Sequence, residues 1–209
     1  MMARLFALAL ALAIAGCARG GDDVFVESSP EIAPRADWRQ VATTHDRDRL
    51  RRWRSAWTKA LAEARAAGHG ARLAREGALL QPDAALSDAR PPRGEYACRV
   101  IKLGGGSLGY VAYPPFQCRV GAGGATDYLV KLTGSQRHVG RLYDEGDSRM
   151  IFLGTLELGD EARPQSYGVD RNRDIAGVLE RIGERRWRLA QPYPAFESTL
   201  DVLELTPAP

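Results

Sequence analysis

Residues 150–158 read MIFLGTLEL, and this stretch decides the fold of the chain. Successive side chains of a β-strand point to opposite faces, so Met150 and Phe152 share one face while Ile151 and Leu153 share the other. A strand that is apolar on both faces requires cover on both sides. The stretch therefore predicts a strand with the interior of a sheet on one side and a second layer of structure on the other.

Short apolar segments, separated by turns rich in Gly, Asp and Pro, surround this strand from Gly94 onward. The predicted strands are Tyr96–Leu103, Leu108–Tyr113, Phe116–Val120, Tyr128–Thr133, Gln136–Tyr143, Met150–Leu158, Ile175–Ile182, Arg186–Gln191 and Thr199–Leu205. Short strands at regular spacing are typical of an antiparallel meander, sandwich or barrel. We therefore predict an α+β fold in which residues 94–206 form an antiparallel, barrel-like β-sheet.

A helical segment over residues 37–90 supplies the second layer. Leu50, Trp53 and Trp57 recur at three- and four-residue spacing and so share one face of a helix. Thr43 or Thr44 is suited to begin this helix and Gly68 to end it. A shorter helical piece is predicted from about residue 71 to residue 80. We expect the aromatic face to pack on the strands; a helix that folded as a separate arm would instead offer it to a partner protein.

The first 16 residues have the pattern of a secretory signal peptide, with a basic start and a short apolar core. Cys17 follows Ile14, Ala15 and Gly16, which resembles a bacterial lipobox, where the cysteine carries lipid after cleavage. One alternative is an ordinary signal peptide with a chance cysteine. The other, a transmembrane helix, is disfavoured because the apolar run is too short to cross a bilayer. A flexible tether over residues 17–36 follows.

These features predict a cell-envelope protein that is anchored to a membrane through lipid on Cys17 and faces the periplasm. Ala18, rather than Asp, follows the lipid-attachment residue, and this favours the outer membrane over the inner one. Two further cysteines remain, Cys98 and Cys118, each within a Cys-Arg-Val triplet on a predicted strand. A pair of cysteines in an oxidising compartment predicts a disulfide between them, the alternative being two free buried thiols.

Several motifs resemble those of a bacterial family of exported proteins of unknown function. The motif residues are Gly94-x-Tyr96-x-Cys98-Arg99-x-x-Lys102-Leu103-Gly104, Lys131-Leu132-Thr133-Gly134-Ser135-Gln136-Arg137, Phe152-Leu153-Gly154, Tyr167-Gly168-x-Asp170-x-x-Arg173-Asp174, Glu180-Arg181-Ile182-Gly183 and Arg186-Trp187-Arg188. The resemblance runs from about Trp38 to the end of the chain. It implies no activity, substrate or catalytic residue.

A weaker resemblance, to lipocalin-like (calycin) barrels, rests on Gly94-x-Tyr96 at the start of the first strand. Those barrels have Gly-x-Trp at this position, and an arginine late in the barrel packs across the aromatic ring. The resemblance implies that Arg186 or Arg188 packs on Tyr96. Small bacterial inhibitors of secreted metalloproteases share that barrel and carry one disulfide, which implies a binding or inhibitory role.

Glu180 is the most informative polar residue, because it shares a strand face with the apolar Ala176, Val178 and Ile182. A carboxylate in such a row requires a cationic partner, for which Arg137, Arg141 and Arg188 are candidates. Either the pair is structural and closes the barrel, or it lies in a ligand cavity. The candidate ligand-binding residues are Arg137, Glu180 and Arg188.

Recognisable catalytic and metal-binding patterns are missing from the sequence. Ser135 and His138 are close in sequence but lack a nucleophile elbow, so we predict no catalytic residue. Asp170, Asn172 and Asp174 imitate the start of a calcium loop but lack its later Gly and Glu, so we predict no metal and no cofactor. A formal net charge of +3 offers no case for nucleic acid.

The sequence therefore predicts a non-enzymatic binding or inhibitory module of the cell envelope, with an unknown protein or small molecule as its partner. The alternative is a structural or assembly factor that contacts other envelope proteins through its helical segment, and a hydrolase is the third possibility. A roomy barrel interior of mixed polarity would indicate a small ligand. A filled barrel with an exposed apolar patch would indicate a protein partner.

Overall fold

The computed structural model describes residues 36–106 and 109–209. The predicted signal peptide, Cys17 and the tether up to residue 35 lie outside the described residues. None of the helices in the described ranges has the length and hydropathy to cross a bilayer. The helices are α1 Trp38–Val41, α2 Thr44–Arg51, α3 Trp53–Ala66, α4 Gly70–Arg75 and a 3₁₀ helix, Gly77–Leu80.

The helix that was predicted to begin at Thr43 or Thr44 and to end at Gly68 is divided into two helices, α2 and α3. The Thr43 hydroxyl accepts a hydrogen bond from the backbone N–H of Asp46 and so caps α2. Arg52 then leaves helical geometry, with φ −96° and ψ 12°, and separates α2 from α3. The expectation of one helix up to Gly68 is therefore wrong. The two helices bury different side chains, polar ones from α2 and an aromatic stripe from α3, and the break lets each helix face its own neighbours.

In the described ranges nine antiparallel strands follow the helices, and eight of them close into a barrel. The strands are β1 Gly94–Leu103, β2 Tyr110–Ala112, β3 Phe116–Ala122, β4 Asp127–Lys131, β5 Gln136–Asp144, β6 Met150–Leu158, β7 Asp174–Gly183, β8 Arg186–Pro192 and β9 Leu200–Pro207. Neighbours in the sheet follow chain order from β3 to β9. The barrel closes because β1 pairs with β3 on one edge and with β9 on the other, while β2 extends the edge of β1 beyond β3. The predicted α+β fold with an antiparallel barrel is confirmed.

Two apolar cores lie on the two sides of the barrel wall. The inner core fills one end of the barrel and includes Phe152, Leu179 and Trp187. The outer core lies between the wall and the helical segment, where Trp57 is fully buried and Trp53 is 8% exposed. Strand β6 contributes to both cores, as its sequence predicts, so the helical segment is the second layer that covers it.

Two details shape the barrel wall. Cys98 and Cys118 form a disulfide between β1 and β3, with 5.9 Å between their Cα atoms, as predicted. Gly140 of β5 faces Gly154 of β6 across the sheet. A Cβ atom on either glycine would lie under 3 Å from the Phe152 ring and from neighbouring backbone. The pair of glycines therefore lets the two strands approach closely around a large inner side chain.

Candidate functional site

A cavity of about 510 Å³ occupies one mouth of the barrel. Each of the eight barrel strands contributes a lining residue. The polar lining residues on the strands include Lys102, Lys131, His138, Gln191 and Asp201, and the apolar ones are Val100, Phe116, Leu156 and Ile175. The opposite end of the barrel is closed by Ala89, Tyr96 and Trp187, and by ion pairs that join Arg90 and Arg93 to Asp127. The barrel is therefore a cup with one polar mouth and one filled end.

The polar mouth arises from the alternation of side chains along each strand. The inward row of β1 runs Tyr96, Cys98, Val100 and then Lys102. The inward rows of β8 and β9 are likewise apolar until they reach the mouth, where Gln191 and Asp201 stand. These residues were not predicted as site residues from the sequence, although each stands where an inward row changes from apolar to polar at the end of its strand.

Lys102 and Asp201 form an ion pair on one side of the cavity, with 3.1 Å between Nζ and Oδ2. Glu197 lies 3.4 Å from the same ammonium group, and the Ser198 hydroxyl donates a hydrogen bond to Asp201. Burial raises the pKa of Asp201. Burial would lower the pKa of Lys102, but the two carboxylates outweigh it and raise that pKa. These charges compensate one another.

His138 and Gln191 form a hydrogen bond across the barrel interior, with 3.0 Å between Nε2 and Oε1. An amide oxygen only accepts, so His138 Nε2 donates and Nδ1 carries a free lone pair. Burial, with a smaller effect of Lys131, lowers the pKa of His138 to about 4. The ring is therefore neutral near pH 7. His138 Nδ1 and Gln191 Nε2 are buried and have no hydrogen-bond partner within the described part of the protein.

Lys131 stands beside His138 on the neighbouring strand. Its ammonium group donates to the backbone oxygens of Thr133 and Gln136, at 2.8 and 2.9 Å, and lies 3.6 Å from the centre of the Phe116 ring. Burial, together with repulsion from Arg137, lowers the pKa of Lys131 to about 8. Two of its three N–H groups therefore hold the turn between β4 and β5, and the amine remains largely protonated at pH 7.

A buried polar network ties the mouth to the helical segment. Arg49 of α2 binds Asp46 and donates to the backbone oxygens of Asp174 and Tyr193, at 2.8 and 3.3 Å. The Tyr167 hydroxyl donates to Asp46 over 2.6 Å. The loops before β7 and before β9 are therefore both fixed to α2, which makes the helix part of the rim of the cavity.

The structure does not bring the three predicted ligand-binding residues together. Glu180 and Arg188 do pair, with 2.7 Å between Oε2 and Nη2, but on the outside of the barrel beneath the helical segment. Arg137 pairs with Glu157 on another part of the wall, with 3.0 Å between Nη2 and Oε1. The three residues therefore do not line the cavity, and Glu180 with Arg188 forms the buried structural ion pair that was the other alternative. Leu179 points inward, so its neighbour Glu180 points outward.

Arg188 instead joins the barrel to the 3₁₀ helix. Its guanidinium donates to the backbone oxygens of Leu79, Gln81 and Pro82, and lies 4.9 Å from the centre of the Trp57 ring. Tyr96 forms a T-shaped pair with Trp187, with 6.1 Å between ring centres. The arginine that the lipocalin-like resemblance assigned to Tyr96 is therefore not Arg188.

The weaker chemical patterns in the sequence have structural explanations. Ser135 is exposed in a turn, whereas His138 points into the barrel and bonds Gln191. The Asp170 side chain accepts from the backbone N–H of Asn172, and Asp174 accepts from that of Gly168, so the calcium-like residues build a local turn. Across the described residues, no group of three or more His, Cys, Asp or Glu side chains is arranged to hold a metal ion.

Fold and site together define a closed antiparallel barrel with an N-terminal helical cover and a polar cavity at one mouth. The model of a domain of unknown function, DUF4893, matches residues 38–205. The chain therefore belongs to the DUF4893 family. No curated protein and no solved structure matches it.

Proposed function

We propose that this protein is a non-enzymatic binding module that takes a small molecule into the mouth of its barrel. The support is a cavity of about 510 Å³ with mixed polar and apolar walls, since small-molecule sites commonly occupy about 300–1,000 Å³ and combine an apolar lining with a few polar groups. The Trp53 and Trp57 face packs on the barrel, which weakens the case for an assembly factor that uses this face.

The unpaired buried atoms at the floor of the cavity carry the proposal. An unpaired buried donor or acceptor costs about 1–3 kcal/mol, so such groups normally have partners. His138 Nδ1 and Gln191 Nε2 belong to side chains that are 5% and 3% exposed, and both residues line the cavity. A ligand that supplies one donor and one acceptor would satisfy both atoms.

We further propose that the protein acts at the cell envelope, held there through lipid on Cys17 and facing the periplasm, with the outer membrane favoured. The lipid anchor rests on the sequence from Ile14 to Cys17, and the preference for the outer membrane rests on Ala18. In such a location the cup would capture or carry its ligand close to a membrane surface. If the ligand were a segment of another protein, the same binding would act as inhibition of that protein.

Titration with the neutral dye N-phenyl-1-naphthylamine, whose fluorescence rises in apolar surroundings, tests the cavity. We expect saturable binding with one dye per protein. Leu156→Trp, which fills the cavity from β6, should abolish it, and Ile175→Phe on the adjacent strand should weaken it. Val139→Trp is the matched control, because it adds the same ring to a groove on the outer face of β5. Circular dichroism checks that each variant folds.

The outcomes separate the two surfaces. Loss of dye binding in Leu156→Trp alone supports the barrel mouth as the site. Loss in Val139→Trp alone places binding in the outer groove and refutes the proposal, as does a wild-type protein that shows no saturable binding.

A further inference from the structure

Within the part of the chain that the structure describes, the mouth of the barrel carries a positive charge that no carboxylate neutralises. Lys102 is matched by Asp201 and Glu197. Lys131 is 3% exposed, and within residues 36–106 and 109–209 no carboxylate lies within ion-pair distance of its ammonium group. A buried charge without an opposite charge is costly, so the cavity favours a ligand that brings a negative charge to Lys131.

Other cations near the mouth are already engaged. Arg49 lines the cavity, but its guanidinium binds Asp46 and the backbone oxygens of Asp174 and Tyr193. A single ammonium group suits a monoanion, because phosphate groups are usually held by several donors or by the two-pronged guanidinium of arginine. The charge complementary to this cavity is therefore that of one carboxylate.

The groups beside Lys131 describe what must adjoin that carboxylate. Lys131 and His138 are neighbours on the inner face, because Val130 pairs with Val139 in the register of β4 and β5. His138 Nδ1 needs a donor, and the unpaired Gln191 Nε2 needs an acceptor. A complementary ligand thus carries an N–H or O–H group and a carbonyl oxygen next to its carboxylate.

The rest of the wall is apolar. Phe116, Leu156 and Ile175 line the cavity between the polar groups, and Phe196, which is 47% exposed, stands at the rim. Aromatic and aliphatic walls indicate that the body of the ligand is itself apolar.

We propose that the ligand is an N-acylated α-amino acid with an apolar side chain, whose carboxylate binds Lys131, whose amide N–H donates to His138 and whose acyl oxygen accepts from Gln191. This inference rests on the proposed function, and it names the class of ligand for the same site. The last residue of a short peptide carries the same three groups, so the free compound and the peptide end are two sources of one chemistry.

Four probes dissect the three contacts by displacing N-phenyl-1-naphthylamine. N-acetyl-L-phenylalanine carries all three groups, N-acetyl-L-phenylalaninamide lacks the charge, and 3-phenylpropionate lacks the amide. We expect the complete compound to bind about tenfold or more tightly than either partial compound, as for loss of a buried charged or paired contact. N-acetyl-Gly-Gly-Phe distinguishes the sources, since tighter binding of this peptide than of the free compound identifies a peptide end.

Variants assign the contacts made by the carboxylate and by the amide N–H. Lys131→Met should remove the preference for the acid over the amide, whereas the same substitution at the exposed Lys59 should leave it intact. His138→Leu should weaken N-acetyl-L-phenylalanine but not 3-phenylpropionate, which offers no N–H group. These are comparisons between probes on one protein, so a general loss of stability does not imitate them.

The results that overturn this inference differ from those that overturn the function. Equal affinity for the acid and its amide in the wild-type protein, or failure of all four probes to displace a bound dye, refutes this ligand class while the cavity remains a binding site. Absence of saturable dye binding refutes the proposed function itself.

Discussion

His138 is a titratable residue in the interior of the barrel, where its imidazole stays neutral. Burial, with a smaller effect of the neighbouring Lys131, keeps the ring neutral, and its Nε2–H donates to Gln191. A buried base whose pKa is lowered in the folded protein links stability to pH. The same residue therefore offers a measure of the barrel interior that needs no ligand.

We expect the stability that depends on His138 to be lost in acid. The pKa falls from 6.5 to about 4 on folding, so between these pH values the unfolded chain binds a proton that the folded protein does not. The contribution of His138 to the free energy of unfolding is fully present above pH 6.5. It decreases by about 3 kcal/mol as the pH falls to about 4. Denaturant unfolding at pH 7.5 and 4.5 should show a smaller decrease in His138→Leu than in the wild type. Equal decreases in both proteins would contradict the assignment.

Arg188 joins the barrel directly to the helical segment through hydrogen bonds to backbone oxygens of the 3₁₀ helix and the residues after it. It is fully buried and pairs with Glu180, which is 1% exposed. Arg188→Met should destabilise the protein by about 3–5 kcal/mol, because it leaves the Glu180 carboxylate buried without a partner. The double variant Arg188→Met/Glu180→Met should recover part of this loss, since it removes the unpaired charge. Urea unfolding measures both, and a single-variant cost below about 1 kcal/mol would disagree with a buried ion pair.

At the scale of elements, the helical segment covers the apolar outer wall of the barrel. Trp57 of α3 is fully buried against the outer wall, among side chains that include Ile101, Val178 and Ala190. These outer residues of β1, β7 and β8 would meet water without the helix. The apolar outer wall and the amphipathic helix therefore depend on one another.

Trp57→Ala should cost about 3–5 kcal/mol of unfolding free energy, because it removes a fully buried aromatic side chain from a packed core. Trp38→Ala is a suitable control, since Trp38 is only partly buried and packs at the edge of the same core. Deletion of everything before Arg93 tests the element as a whole, and we expect that chain to fail to fold. Cooperative unfolding of the shortened chain at a near-normal temperature would show instead that the helices are a separate arm.

At the scale of the whole molecule, the filled end and the open mouth give the barrel a direction. The loops at the open mouth are fixed by Arg49 to α2, and the closed end is fixed by Asp127 and its arginine partners. Within the described residues the cavity therefore lies at one end of the barrel, and a ligand of the proposed kind would enter there.

Attachment of lipid to Cys17 is a prediction at this scale. The residues Ile14 to Cys17 predict cleavage before the cysteine and modification of its thiol. Cys17→Ser should shift the protein from the membrane fraction to the soluble fraction. Mass spectrometry of the N-terminal peptide should find lipid in the wild type only, whereas an unmodified peptide together with unchanged membrane partition in the variant would exclude the lipobox interpretation.

Local patterns in the sequence were enough to predict the strands and the helical segment. The two-sided apolar strand at residues 150–158 predicted both the barrel interior and the helical cover, and the Cys-Arg-Val triplets predicted the disulfide. These predictions succeed because alternation along a strand and periodicity along a helix are properties of neighbouring residues. The break at Arg52 was missed, because it reflects what α2 and α3 each pack against.

The site was decided by the tertiary structure. The sequence singled out Glu180 by its row of apolar neighbours, but which side of the wall that row faces depends on how the sheet closes. His138 and Gln191 stand 53 positions apart in the chain and meet only because β5 and β8 face each other across the barrel. The sequence by itself determined the strands, the helical segment and the cysteine pair. Closure of β1 onto β9 decided which side chains share an interior. The reason is that contacts across a barrel join residues that no local pattern relates.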